Sequence, residues 1–226
     1  MKLYYKPGAC SLASHIVLEQ IGKPFDLDKV DTAAKKTESG DDFLAINPKG
    51  VVPTLEYADG EYLTEGPAIL QFLADSAGDT TLAPKAGTIE RARVQEILNF
   101  TGSALHAAFK PMFGPGLSDA DKDKARENIG RNMNWLEGLL SDGRPFLTGE
   151  NFTVADAYAF VVAYVLGMLI EKTIGLRAKE EDERRAAEKD EQQAAYGHQN
   201  WVSVPMPGSS AAPGGSAICA MPAVGN

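Results

Sequence analysis

Along the first eighty residues, apolar positions follow the strand period and the helix period in turn. The apolar run at 3–5 predicts a short strand, and the Pro-Gly pair at 7–8 predicts a turn after it. From Ser11 the apolar residues recur at helical intervals, and Gly22 is a suitable stop. The chain therefore begins with a strand, a tight turn and a helix, and Cys10 lies at or next to the start of that helix.

The same alternation predicts a mixed sheet for this part of the chain. After a polar loop at 35–40, Ser39 is expected to cap a short helix that ends near Ile46. Asp59 and Gly60 suit a hairpin turn. The other predicted elements are a strand around 25–30, a strand at 51–57, a returning strand at 61–63 and a helix after Gly66. This β-α-β-α-β-β-α order predicts a small mixed sheet with helices on its faces.

Strand patterns end near residue 78, and helical patterns follow. Residues 88–109 predict one helix with Ile89 on its apolar face. Ser118 is expected to cap a second helix that runs to about Leu140 and has Met133 on its inward side.

A third, almost wholly apolar helix is predicted from Thr153 to about Ile170. Thr153 and Asp156 fit a capping box, in which the hydroxyl accepts from the backbone and the carboxylate reaches back. Because the helix is hydrophobic around its circumference, we expect it at the centre of the second domain. We interpret the capping box as structural.

The predicted fold class is α/β followed by all-α. We predict a small α/β domain at 1–78, a linker at 79–87 and an all-helical domain at 88–176. Residues 177–226 are first charge-dense and then rich in Pro and Gly, so we expect an atypical, partly disordered tail. Cys219 lies in that tail and is assigned no role.

Composition and charge narrow the choice of function. The chain has 226 residues, 44% of them hydrophobic and 23% charged, which is ordinary for a soluble globular protein. A net charge of −9 argues against nucleic-acid partners and against anionic membrane surfaces. Two cysteines do not make a disulfide framework, and neither a signal peptide nor a membrane span is evident. We therefore expect a cytoplasmic protein.

Cys10 has two interpretations that the opening segment does not separate. A helix N-terminus favours an anion, so a thiol there should ionise more readily. The alternative is a small buried hydrophobic residue, as free cysteines often are. The α/β pattern is typical of thioredoxin-like proteins, but no second cysteine follows at 11–13, so only single-thiol chemistry remains.

Two further positions suit a peptide-like ligand. Val52-Pro53 begins a strand and could leave backbone groups for an extended ligand, although an edge-strand proline is the simpler interpretation. Glu65-Gly66 precedes a helix, so its N–H groups could bind a carboxylate while Glu65 binds an ammonium. The alternative for Glu65 is an ordinary acidic residue that favours the helix dipole.

The helical part offers Asn99 and His106, which lie two helical turns apart on one face. His106 could titrate near neutral pH, but a lone histidine is more often structural. No cluster of Cys, His and carboxylates has metal-ligand spacing, so we predict no metal.

Taken together, these segments resemble the bacterial beta class of the glutathione S-transferases. The resemblance covers about residues 1–167, and its segments follow one another in the family's order. They are 1–12, 35–40, 46–50, 52–53, 63–69, 98–100 and 152–158.

The resemblance implies a thioredoxin-like domain followed by a helical-bundle domain, usually in a homodimer, with glutathione as cosubstrate. Cys10 would contact the glutathione sulfur, and His106 would support it. The implied glutathione contacts are Lys35 with the glycyl carboxylate, the backbone of Val52 before Pro53 with the cysteinyl part, Glu65 and Gly66 with the γ-glutamyl end, and Asn99 from the helical domain.

Two departures from the family pattern stand out. Ala107 follows His106 where the family often has a basic residue, and the family's closing segments are missing after Gly167. The leading hypothesis is a detoxifying transferase that joins glutathione to small hydrophobic electrophiles. Thiol–disulfide exchange or dehalogenation through Cys10 is an enzymatic alternative, and a non-catalytic glutathione-binding or stress-regulatory protein is an alternative of another class.

Overall fold

Five strands and seven α-helices account for most of the residues whose structure is described, 1–113 and 118–168 of a computed structural model. The strands are β1 Lys2–Tyr5, β2 Asp26–Asp31, β3 Lys36–Thr37, β4 Thr54–Ala58 and β5 Glu61–Thr64. The helices are α1 Ser11–Ile21, α2 Phe43–Ile46, α3 Gly66–Ala77, α4 Ile89–Phe100, α5 His106–Phe109, α6 Asp119–Leu140 and α7 Val154–Phe160.

The strands form one mixed sheet in the order β3-β2-β1-β4-β5. Strand β1 runs parallel to β2 and antiparallel to β4, and Leu3 is paired with Leu27 on one side and Leu55 on the other. The hairpin between β4 and β5 turns at Asp59 and Gly60, as predicted. The mixed sheet and the helices that follow it confirm the predicted fold class, a thioredoxin-like domain followed by a helical one.

The core is divided by the sheet. Leu3 and Tyr4 point to opposite faces of β1, as successive strand residues must. Leu3 belongs to the main core, which continues through α1 and α3 into the helical part. Tyr4 packs with Val30 and Phe43 in a smaller cluster on the other face. One continuous apolar core therefore joins the first half of the chain, from β1 to α3, to the second half, from α4 to α7.

Two local predictions in the first half were wrong. Asp42, not Ser39, caps the short helix α2, because the Asp42 carboxylate accepts from the N–H of Leu44 at 3.0 Å. The Ser39 hydroxyl instead donates to the carboxylate of Asp28. The expected polar loop at 35–40 contains strand β3, which pairs with the end of β2.

The single helix predicted at 88–109 is interrupted. Helix α4 passes into a π-helical segment, Thr101–Leu105, before α5 begins at His106. Ile89 is 65% exposed, because it is the first residue of α4 and lies outside the core, and Met133 of α6 is also exposed. Both had been expected to face inward.

Helix α7 begins with the predicted capping box. The Asp156 carboxylate accepts from the N–H of Thr153 at 2.8 Å, from its hydroxyl at 2.7 Å and from the N–H of Leu147 at 2.8 Å. A second π-helical segment, Val161–Leu166, follows α7. Burial is one-sided there, since Phe160 and Tyr164 are more than half exposed and stack on each other.

The predicted segment limits at 1–78, 79–87 and 88–176 stay predictions. The predicted tail at 177–226, with Cys219, lies outside the described residues.

Candidate active site

A cavity of about 540 Å³ lies between the sheet-containing part and the helical part of the chain. Seven of the eight predicted site residues line it, and Lys35 does not. The lining residues are Cys10, Val51, Val52, Pro53, Glu65, Gly66, Pro67, Leu98, Asn99, Gly102, Ser103, His106 and Tyr158. Residues separated by almost 150 positions in the sequence thus meet around one space.

Cys10 is the N-cap residue of α1 and is partly buried. Its thiol donates to the carbonyl of Val52, with Sγ 3.4 Å from the oxygen. Burial raises the pKa of the Cys10 thiol, and the negative charge of Glu65 adds to this; the N–H groups of Cys10 and Ser11 act in the opposite direction. Of the two interpretations of Cys10, burial therefore favours the neutral, buried thiol, since desolvation outweighs the helix N-terminus.

Val52 and Pro53 line the cavity next to Cys10, and the peptide bond between them is cis. The loop that carries them is held by Asn47, which is almost fully buried. The Asn47 amide donates to the carbonyl of Val51 at 2.8 Å and to the hydroxyl of Thr54 at 3.0 Å. Asn47 was not among the predicted site residues, although an Asn before Pro-Lys-Gly is a signal that its side chain can bond the backbone.

Glu65 precedes α3 with a backbone φ of +71°, which non-glycine residues rarely adopt. Its carboxylate accepts from the ammonium of Lys49 at 2.6 Å, and the same ammonium donates to the hydroxyl of Thr64 at 2.9 Å. Lys49 was not among the predicted site residues. Its pairing with Glu65 shows that this carboxylate is accessible to a cation at the cavity rim.

Lys35 stands apart from the lining residues. It has a φ of +56°, and its ammonium donates to the carbonyl of Gly50 at 2.9 Å. Gly50 directly precedes Val51, which does line the cavity. The structure therefore places the Lys35 charge next to the cavity wall but not in it.

Asn99 and His106 reach the cavity from the second half, at the end of α4 and the start of α5. The π-helical segment between them also supplies Gly102 and Ser103 to the wall. Such segments are often found at functional sites. Burial lowers the pKa of His106, so its imidazole is neutral at neutral pH.

Tyr158 of α7 lines the cavity beside His106 and was not predicted as a site residue. Its hydroxyl oxygen lies 3.4 Å from Nδ1 of His106. Burial raises the pKa of the Tyr158 hydroxyl, and the charges of Cys10 and Glu65 raise it further. The only sequence signal was its place in the apolar run after the capping box, which predicts packing and not a polar role.

Residues 1–113 and 118–168 lack two kinds of feature. No group of three or more His, Cys, Asp and Glu side chains in these ranges could hold a metal ion. None of the helices described there has the length and apolar character needed to cross a membrane.

Family models match both halves of the chain. The model for the N-terminal domain of glutathione S-transferase matches residues 8–76, and the model for the C-terminal domain matches residues 86–177. Glutathione S-transferase GstA of Escherichia coli O157:H7 is 44% identical over 174 residues, which are 76% of this chain and 86% of the relative.

Solved structures agree with the family models. A sphingomonad glutathione S-transferase in complex with glutathione is 42% identical, with a TM-score of 0.68 over 78% of this chain and 94% of the other. The bacterial beta-class glutathione S-transferase of Sphingomonas chungbukensis is 44% identical, with a TM-score of 0.66 over 76% of this chain and 92% of the other. The two family models, the sequence identity and the shared fold confirm the predicted resemblance. The chain belongs to the glutathione S-transferase family and is similar to its bacterial beta class.

Proposed function

We propose that this protein joins glutathione to small hydrophobic electrophiles at the cavity described above. The observation that carries the proposal is the meeting of Cys10, Val52 and Glu65 from the first half with Asn99 and His106 from the second. The similarity to a glutathione S-transferase solved with glutathione supports the choice of cosubstrate.

Glutathione is an extended peptide with two carboxylates and one amine, so its site needs both acidic and basic contacts. Glu65 would bind the ammonium of the γ-glutamyl end, and the backbone of Gly66 at the start of α3 would bind its carboxylate. The backbone of Val52, before Pro53, would pair with the cysteinyl part as an added strand does. Lys35 would reach the glycyl carboxylate by turning its ammonium away from the Gly50 carbonyl.

The sulfur of glutathione must be a thiolate to react, because the thiol is a poor nucleophile. The Cys10 thiol keeps its own proton, since its pKa is raised by burial, and can therefore donate a hydrogen bond to an anionic sulfur. His106 would be a second donor. In the reaction the thiolate forms a bond to an electrophilic carbon, and the leaving group departs with its bonding electrons.

The electrophile would bind on the apolar side of the cavity. The apolar residues that line the cavity include Val51, Pro67 and Leu98, and Asn99 supplies a polar group. A mostly apolar wall with few polar groups is typical of small-molecule sites.

The test is binding and turnover with the full chain. Wild-type protein is expected to bind glutathione in calorimetry and to release chloride from chlorodinitrobenzene in its presence. Cys10→Ala is expected to lose most turnover, while Ser76→Ala, which only removes a hydroxyl bonded to the Leu73 carbonyl within α3, should keep it. Folded wild-type protein that binds no glutathione would contradict the proposal.

The same preparation separates the alternative functions. Binding without turnover across several electrophiles would indicate a non-catalytic binding protein. Incubation with glutathione disulfide, followed by intact mass measurement, would reveal exchange: the Cys10 thiolate would displace one glutathione and retain the other as a mixed disulfide. That adduct should be absent from Cys10→Ala.

We also propose that the protein works as a homodimer in the cytoplasm. Large apolar side chains are exposed on β4, β5 and the neighbouring loop, and they suit a subunit interface; they are Val51, Tyr57 and Tyr62. A reducing compartment would keep both Cys10 and glutathione reduced. Sedimentation at several concentrations tests the dimer, and cell fractionation tests the location.

A further inference from the structure

Tyr158 has no part in the conjugation described so far, although it lines the cavity and is only 5% exposed. Its ring lies between two glycines. A methyl group built on Gly66 would lie 3.7 Å from Cε2 of the ring, and one built on Gly102 would lie 3.6 Å from the hydroxyl and 3.8 Å from Cε1. The two halves of the chain thus contact opposite edges of the ring, which fixes where the hydroxyl lies.

The hydroxyl has one hydrogen-bond partner within residues 1–113 and 118–168, and this is Nδ1 of His106 at 3.4 Å. The two rings are nearly perpendicular, with an interplanar angle of 81° and centroids 6.5 Å apart. A neutral imidazole has one nitrogen that donates and one that accepts. The contact can therefore form in two ways, with either the phenol or Nδ1 as donor.

The His106 imidazole and the Tyr158 phenol are both neutral, which limits the choice of hydrogen-bond donor. Burial lowers the pKa of His106, and burial raises the pKa of the Tyr158 hydroxyl, so each is uncharged at neutral pH. If Nδ1 were the donor, the phenol proton would have no acceptor in the described part of the chain. If the phenol is the donor, one bond satisfies both groups, and buried polar groups are seldom left unpaired.

We propose that Tyr158 is a positioning residue for His106: its hydroxyl donates to Nδ1 and so holds the imidazole proton on Nε2. In this tautomer Nε2 is a donor that remains available to a ligand in the cavity. An anionic sulfur is the ligand that such a donor would stabilise. Only this last, kinetic consequence rests on the proposed function, since the tautomer is a property of the protein alone.

The first test is nitrogen NMR of protein labelled in its three histidines, with the His106 signals assigned by their loss in His106→Gln. Wild-type protein is expected to show the Nε2–H tautomer. Tyr158→Phe should shift His106 toward a mixture of tautomers, and Tyr164→Phe, on the exposed side of the following helical segment, should not. Finding the Nδ1–H tautomer in wild type, or no change in Tyr158→Phe, would overturn the proposal.

The second test is kinetic. One hydrogen bond of ordinary strength corresponds to about a three- to tenfold fall in kcat for Tyr158→Phe, with the KM for glutathione changed less than about twofold. An unchanged kcat would contradict the positioning role. If the protein conjugated no glutathione at all, the proposed function would fail, while the nitrogen NMR measurement would still decide the tautomer.

Discussion

Burial and a carbonyl acceptor both favour the protonated form of the Cys10 thiol. The thiol donates to the Val52 carbonyl. If the thiol lost its proton, the negative sulfur would lie beside this carbonyl oxygen and would be repelled by the Glu65 carboxylate. At the scale of single residues, the site is therefore arranged so that Cys10 gives a hydrogen bond and does not readily supply a nucleophile.

This arrangement predicts slow alkylation of Cys10 at neutral pH. Burial raises the pKa of this thiol above its ordinary value, so the neutral thiol predominates at pH 7. The rate of modification by iodoacetamide should rise only in alkaline solution, at a higher pH than for a cysteine in an unfolded peptide. Peptide mass spectrometry resolves Cys10 from Cys219; fast modification of Cys10 below pH 7 would contradict the assignment.

Glu65 makes a prediction about the ligand. In Glu65→Gln the carboxylate that would bind the ammonium of glutathione loses its charge, while the backbone stays the same. We expect the KM for glutathione to rise about tenfold or more, the size of one charged hydrogen bond, with a smaller change in kcat. Glu61→Gln is the matched control, because Glu61 bonds to Tyr57 at the hairpin and does not line the cavity.

At the scale of elements, an ion pair joins α3 to α4. The Arg91 guanidinium, almost fully buried, donates to both carboxylate oxygens of Asp75 at 2.8 and 2.7 Å and to the carbonyl of Pro84 at 3.0 Å. The hydrogen bonds from Arg91 hold the pKa of the Asp75 carboxyl below its ordinary value. The pair thus fixes the first helix of the second half against the last helix of the first.

Breaking this pair should destabilise the fold. In Asp75→Asn the buried guanidinium loses its anionic partner, so we expect the free energy of unfolding at neutral pH to fall by about 1.5–3 kcal/mol. The pKa of Asp75 is lower in the folded protein than in the unfolded chain. Asp75 therefore stabilises the fold at pH values above the ordinary carboxyl pKa, and this stabilisation is lost as the pH falls through the pKa of the folded protein.

Urea unfolding at several pH values measures this effect, and the difference between Asp75→Asn and wild type should shrink in acid. Glu96→Gln is the control, since it breaks an exposed pair with Arg93 and should change stability by less than about 1 kcal/mol. Equal effects of the two substitutions would show that the burial of Arg91 has no energetic consequence.

Elements encoded by local signals were predictable from the sequence. Gly22 ends α1 and Ser118 caps α6, because stop and cap signals act within a few residues. Strand β3 was not predictable from the sequence, since a two-residue strand forms only by pairing with its partner β2. The π-helical segment Thr101–Leu105 was also missed, as it depends on packing between helices.

The residues of the candidate site also divide into those that the local sequence marks and those that it does not. Cys10, Val52 and Glu65 lie at helix starts and a strand start that the sequence marks, so their place at one cavity was predictable with the family resemblance. The role of Tyr158 depends on its contact with His106, which is 52 positions away in the sequence, and no local pattern encodes it. The predicted contact of Lys35 with the glycyl carboxylate stays a prediction, because the Lys35 ammonium bonds to the Gly50 carbonyl beside the cavity wall.

At the scale of the whole molecule, one core spans both halves. Leu73 of α3 belongs to the same buried cluster as Val17 of α1 and Val94 of α4, and the cluster continues to Val154 of α7. The cavity wall is made by elements that this core holds together. The two halves should therefore unfold as one cooperative unit.

Leu73→Ala tests this cooperativity. The side chain is fully buried, so its truncation should lower the free energy of unfolding by about 2–5 kcal/mol. Fluorescence of Trp135 in α6, in a Trp201→Phe background, and protection of Cys10 from alkylation report the two halves. Both transitions are expected to shift together; a shift in only one probe would contradict a shared core.

Glu65 combines a backbone conformation suited to glycine with a side chain that the ligand requires. A φ of +71° on a residue with a β-carbon costs about 1–3 kcal/mol, and glycine would avoid most of this strain. Selection for folding and selection for binding therefore act in opposite directions at this residue. A mutant library screened only for heat resistance should become enriched in glycine at position 65, and its survivors should have lost affinity for glutathione.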